Sequence, residues 1–278
     1  TKTMTGDQID DYLEARAATI ETSVGREFAQ GTVSCLAQDF PDVLKVFADI
    51  MRNPAFAEDK IKISRNQITS AISRRNDNPQ QIIMREFDKL VYGADSPYAR
   101  VAEYATVEKI SRDDLLAFHK TYFHPDRIII GVVGDFSAKE MAAKIRSTFG
   151  DWPKGPASKD SDATWQAAMK PGVYYVQKED MTQSNIIMGH LGIRRDNPDY
   201  FAVEILNEAF GGSFAARLFS NVRSAKGLAY TVRGAVGSNY DYPGTFNAFM
   251  TTKTGSTAAG IDALLTEIEN IVSKPPTE

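Results

Sequence analysis

The sequence predicts an α+β fold built from two related modules, the second of them incomplete. Three observations point there. The order helix, strand, strand, helix at residues 7–52 recurs between "GGSFAARLFSNVRSAKG" and "TAAGIDALLTEIENIV", and a unit repeated at this scale signals duplication. The second strands of the two copies open alike, on Gly31-Thr32 and Gly244-Thr245. Helical and strand patterns come in runs rather than in strict alternation, which argues for a sheet of antiparallel or mixed strands packed with helices, not a doubly wound parallel one. The second copy stops at "KPPTE" without counterparts of residues 59–150, so it reads as truncated.

Each element has a local cause. Thr5 stands three residues before Gln8, a capping-box spacing, and Ile9, Tyr12, Leu13 and Ala17 then share one helical face. "TIETSV" (19–24) and "GTVSCLA" (31–37) alternate β-branched with polar residues across the Gly25-Arg26-Glu27 turn, the pattern of an antiparallel hairpin. Asp39 and Pro41 open a helix carrying Val43, Leu44, Phe47, Ile50 and Met51. A helix over 59–75 stops at Asp77-Asn78-Pro79, because a proline disfavours helical backbone in the residue before it, and another runs over 80–90. Ser111 starts the helix in "ISRDDLLAFHKTYF", the apolar run "RIIIGVVGDF" reads as a buried strand, and Ser137 caps "AKEMAAKIRSTF".

"FGDWPKGPASKDSDATW" has no periodicity and reads as a linker. The expected division is therefore an amino-terminal module over 1–155, a linker over 156–170 and a carboxy-terminal module over 171–278. In the latter, "VYYVQ" and "SNIIMGHLGI" read as strands and "NPDYFAVEILNEAF" as a helix opening at Pro198. A short helix ends at Gly227, two strands follow in "LAYTVRGAV" and "GTFNAFMTTK", and a last helix closes the sequence.

Composition narrows the function. Hydrophobic residues at 42% and charged residues at 24% of 278 are those of a globular protein, and length alone suggests two domains of about 150 residues each. A net charge of −4 gives no pull toward nucleic acid or anionic lipid. No run approaches the ~20 apolar residues of a membrane span. The sequence begins at Thr1 without Met, which reads as an upstream segment missing. Cys35, the single cysteine, reads as a buried strand residue and leaves the redox compartment open.

Few constellations carry chemistry. His119 and His124 read as surface or capping residues, and His190, in a strand beside glycine, has the better claim to a role; no pair has the His-x-x-x-His spacing of a metal site. "GVVGDF" lacks a dinucleotide fingerprint, Ser213 lacks a nucleophile elbow, and Gly211-Gly212 read as a tight turn with positive φ. Arg223 and Tyr230, seven positions apart around a Lys-Gly break, stand out. Arg223 is either a cation favoured at a helix carboxy end, or one of two donors that converge on a carbonyl oxygen and stabilise the charge it gains in a tetrahedral intermediate.

"NEAFGGSFAARLFSNVRSAKGLAYTV" resembles the carboxy-terminal half-module of the pitrilysin/insulinase metallopeptidases, which include the mitochondrial processing peptidases. "YFHPDRIIIGVVGDF" with "FGDWP" resembles the end of the amino-terminal module, and "TKTMTGDQIDDYLE" the segment after the catalytic helix. The resemblance implies duplicated α+β modules around a chamber, and zinc held by His-x-x-Glu-His and a glutamate on a later helix. That motif is absent from the sequence, its place falling upstream of Thr1. "NQITSAISRRNDNPQ" resembles the glutamate-bearing segment, and the matching positions are Ser70 and Ala71. No Asp or Glu lies between Lys60 and Asn76, whereas Lys60, Lys62, Arg65, Arg74 and Arg75 are cationic. Arg223 and Tyr230 match the family's paired Arg and Tyr, which bind substrate backbone.

The resemblance thus implies a noncatalytic subunit with no cofactor of its own. It would bind extended peptide and complete the site of a zinc-bearing homologous partner, as a heterodimer or in a homodimer. Peptide would add to the sheet edge at "TQSNIIMGHL". Two alternatives stand beside it: a complete zinc metalloendopeptidase whose motif lies upstream, and a structural subunit of a larger complex. Two-subunit bacterial relatives are often exported and processing relatives are organellar, so the resemblance leaves the compartment open, with an exported or periplasmic location favoured.

Overall fold

The structure is a computed structural model that describes residues 1–155 and 170–275. The expected linker lies outside the described residues except for Lys170. Contacts divide the chain into two compact units. One joins Thr1–Ile72 to the described part of Ala102–Asp162, and the other joins Ser73–Val101 to the described part of Ala163–Glu278. Each unit is therefore discontinuous in sequence.

In the first unit, α1 (Gly6–Glu14) opens on the expected capping box: Gln8 N donates to Thr5 Oγ1 at 3.2 Å and Thr5 N to Gln8 Oε1 at 2.9 Å. Strands β1 (Thr19–Val24) and β2 (Ala29–Ser34) pair antiparallel from Thr19↔Ser34 to Val24↔Ala29. β2 ends before Cys35, so the cysteine lies past the strand and is half-buried rather than buried. Partial burial, with the Asp39 carboxylate nearby, pushes its thiol pKa up.

Helix α2 (Phe40–Arg52) carries two apolar faces. Val43 packs with Leu13 and Ala18, while Leu44 and Ala48 pack with Phe149 at the end of α7 (Ala138–Phe149). Helices α3 (Glu58–Arg74), α5 (Tyr104–Val107) and α6 (Arg112–Tyr122) complete the unit; α5 had no clear sequence signal, and α6 starts after Ser111 as expected, with a capping box between Ser111 and Asp114.

Two expected strands do not form. Residues 128–136 and 173–177 lie outside any strand, with Ile129, Val133 and Val173 nearly fully exposed. β-Branched residues favour a strand only where a neighbouring strand and a covering face receive them, and neither run has a ladder partner among the described residues. His124, read as a surface or capping residue, is buried and meets a carbonyl of the last turn of α6. It is 3% exposed, with Nε2 2.6 Å from Thr121 O.

The second unit is built on a four-stranded sheet of order β3-β6-β5-β4. β3 (Gln183–Leu191) runs antiparallel to β6 (Pro243–Lys253), which pairs antiparallel with β5 (Thr231–Asn239); the short β4 (Ile193–Arg194) lies parallel to β5. Because side chains alternate along a strand, Ile186 and Ile187 face opposite ways. Ile186 joins Val232, Met250 and α9 (Thr257–Ser273), whereas Ile187 packs with Phe87, Val91 and Tyr92 of α4 (Pro79–Tyr92). Tyr92 Oη donates to Pro243 O at 2.8 Å and fixes α4 on its face.

Helix α8 (Tyr200–Asn207) starts two residues after Pro198 and widens into π-helical turns over Glu208–Gly212. Neither Gly211 nor Gly212 has a positive φ, so the expected tight turn is not their role. A Cβ on Gly211 would stand 2.3 Å from Gly234 N: the glycine lets these turns touch β5.

Candidate functional site

The expected pair lies at the junction of a second π-helical segment, Leu218–Ala225, with β5. Leu218 and Val222 are fully buried against Val232, Ala248, Met250 and Leu264. Polar clasps reinforce this inner face: Arg217 Nη1 donates to Asn270 O at 3.0 Å, and Asn221 Nδ2 to the buried Glu267 Oε2 at 2.9 Å. Wide turns of this kind are uncommon and occur often at functional sites.

With the inner face fixed, Arg223 points outward. Its Cζ lies 4.6 Å from the centroid of the Phe219 ring, which in turn meets Phe214 edge-on at 4.9 Å. Backbone closes the end of the segment: the N–H groups of Lys226, Gly227 and Leu228 donate to Asn221 O, Arg223 O and Val222 O. Gly227 makes this turn at φ +63°, where a side chain is disfavoured. The guanidinium is thus not consumed in capping.

Tyr230 follows within three residues. Its N–H donates to Thr251 O at 2.9 Å, which locks the backbone to β6, while its side chain is 73% exposed. Among the described residues neither Arg223 nor Tyr230 forms a side-chain hydrogen bond or ion pair. No bond joins the two. The arrangement presents a five-donor fork and a phenol to solvent from one hydrogen-bonded junction, and both are hydrogen-bond donors to a carbonyl oxygen.

β3 is the edge strand of the sheet and pairs with β6 alone among the described residues. Such an edge carries a row of backbone donors and acceptors open to a further strand. His190 lies on β3, exposed, with Nδ1 2.6 Å from Leu191 O and its ring against Phe246.

Sequence reasoning missed the residues that hold this region together. Asn207 Nδ2 donates to Val236 O at 3.0 Å and its Oδ1 accepts from Val236 N at 2.7 Å, clasping α8 to β5. Asn221 and Glu267 form the second clasp. Their partners lie 29 and 46 residues away, so no local pattern announces them.

Ser70 and Ala71 lie in the first unit, exposed on α3. A hydroxyl and a methyl there cannot replace a carboxylate ligand, and no group of three His, Cys, Asp or Glu suited to a metal occurs among the described residues. The residues present do not fit a zinc site, and the chemistry they offer is that of hydrogen-bond donors. No helix among the described residues is long and apolar enough to cross a membrane.

A family model described as the peptidase M16 inactive domain matches residues 109–278, and one described as insulinase, peptidase family M16, matches residues 1–96. The chain belongs to peptidase family M16. Among relatives of this M16 chain, an uncharacterized zinc protease of Rickettsia bellii is 26% identical over 277 residues, covering 99% of this chain and 65% of the relative. Another from Mycobacterium leprae is 25% identical over 239 residues, covering 85% and 54%. The M16 chain thus spans less than two thirds of the length of these curated relatives. A crystal structure titled as a peptidase M16 inactive domain, from Pseudomonas fluorescens, matches at a TM-score of 0.89 and 26% identity, covering 99% of this chain and 67% of that one. A protease from Helicobacter pylori shares the fold at a TM-score of 0.88 and 16% identity, covering 100% and 68%.

Proposed function

We propose that this M16 chain is a noncatalytic peptide-binding subunit that completes the active site of a zinc-bearing homologous partner. What carries the reading is the pair Arg223 and Tyr230, both exposed with unspent donors at one junction of a sheet whose β3 edge is unpaired among the described residues. Extended peptide adds to β3 through main-chain hydrogen bonds, and the guanidinium and phenol donate to a peptide carbonyl near the bond the partner cleaves. Ser70 and Ala71, where the family's glutamate would stand, support a role without metal. An exported location belongs to the same proposal.

Strand addition is tested by measuring the affinity of the chain for an extended peptide of about ten residues and for its analogue N-methylated at alternate positions. N-methylation removes the donors that an edge strand must meet. The reading predicts at least about tenfold weaker binding of the analogue. Equal affinities would contradict it.

A second reading is favoured by the relatives' names. The curated relatives are called zinc proteases and are longer than this chain. In that reading the protein is a complete zinc metalloendopeptidase with its metal motif outside residues 1–278.

A further inference from the structure

Arg195 is a second outward-facing arginine with unspent donors, and its surroundings form a cavity. Its N–H donates to Asn239 O at 2.8 Å, which holds the backbone beside the end of β5. Its guanidinium carbon lies 4.3 Å from the Tyr200 ring centroid and 5.5 Å from that of Tyr240, so the planar cation is seated on two aromatic faces. The neighbouring Arg194 is neutralised by Asp196 at 3.0 Å, whereas Arg195 has no hydrogen bond or ion pair from its side chain among the described residues. A cation held this way keeps its in-plane N–H donors for a ligand.

The cavity beside it measures about 580 Å³. Pro198, Tyr200 and the 78% exposed Phe201 give it an apolar wall, Asn197 and the Arg194-paired Asp196 line it beside Arg195, and Glu204 lines it one helical turn beyond Tyr200. Arg195 and Glu204 therefore border one space without pairing across it, while the Asp196 carboxylate is held by Arg194. A fork of donors, an apolar wall and an acceptor suit the end of a peptide: its α-carboxylate on Arg195, an apolar last side chain against Phe201 and Pro198, and a backbone N–H toward Glu204. We propose that this cavity binds short peptides by their free carboxy terminus, independently of the Arg223 junction.

The test compares fluorescein-labelled Gly-Gly-Ala-Phe as the free acid, as its carboxy-terminal amide, and as Gly-Gly-Asp-Phe amide, each titrated into the full chain by fluorescence anisotropy. The free acid should bind at least about tenfold more tightly than either amide, since only it offers a terminal carboxylate to the fork. Arg195→Lys, which keeps the charge but loses the planar fork, should weaken the free acid about tenfold at unchanged thermal midpoint. Arg223→Ala should leave this binding as it is, which separates the cavity from the extended-peptide site. Equal binding of acid and amides, no binding of the acid, or an unaltered affinity in Arg195→Lys would overturn the proposal and leave Arg195 as a brace between α8 and the β5–β6 hairpin.

Discussion

Asn221 and Glu267 meet through a 2.9 Å hydrogen bond in which the amide donates to a carboxylate that is 4% exposed. Asn221 precedes Val222 and Arg223, so this contact fixes the inner face of the π-helical segment whose outer face presents the guanidinium. Replacing Glu267 by Ala leaves the Asn221 amide facing a cavity without its acceptor. The expected loss is about 1–3 kcal/mol in urea unfolding, together with weaker peptide binding. Glu267→Gln, which keeps an acceptor oxygen, should recover most of both.

Leu218 anchors the same segment from its apolar side and is fully buried. Leu218→Ala should cost about 2–5 kcal/mol, measured as a fall in the denaturant midpoint. A cost under about 1 kcal/mol would mean that the segment is not held by the sheet.

Gly211→Ala probes the approach of α8's wide turns to β5. The new Cβ would meet Gly234 N at 2.3 Å, so backbone must move, and about 1–3 kcal/mol of destabilisation is expected by thermal unfolding.

Acid sensitivity of α4 follows from Glu86. Its partial burial alone would raise the carboxyl pKa, but hydrogen bonds from Lys89 at 3.0 Å and Arg85 at 3.2 Å outweigh this and hold it below its ordinary 4.5. A depressed folded value means that the stabilisation is present above the ordinary value and is lost as pH falls through the lower folded one. Urea midpoints followed from about pH 6 to pH 3 should therefore drop less steeply in Glu86→Gln than in the wild type.

Metal content separates the two functional readings. The full-length natural protein, purified without chelator, should carry close to no zinc per chain. About one zinc per chain would transfer the assignment to the zinc metalloendopeptidase reading.

What the sequence made legible was local. Thr5 with Gln8, and Ser111, announce helix starts because the cap and its donors lie within three residues of each other, whereas Asn78, read as part of a helix break, proves to cap α4. Gly227 announces a stop because a left-handed turn favours glycine. Strand signals failed where the deciding partner lies elsewhere: 128–136 has the composition of a buried strand and no ladder to join among the described residues. α4 reads correctly as a helix, yet its place against β3 and Tyr242 depends on contacts between residues 151 positions apart, as Tyr92 with Pro243 shows. The candidate site divides likewise. Arg223 and Tyr230 were recognisable by type and spacing, while Asn207, Asn221 and Glu267 emerge only once the chain is folded.

The most direct test of peptide capture is calorimetric titration of one extended peptide into the wild type, Arg223→Ala and Tyr230→Phe. Loss of a charge-assisted hydrogen bond predicts about tenfold or greater weakening in Arg223→Ala and a smaller weakening in Tyr230→Phe, with thermal midpoints unchanged because both side chains are exposed. Identical affinities in all three proteins would contradict the assignment of this junction to peptide binding.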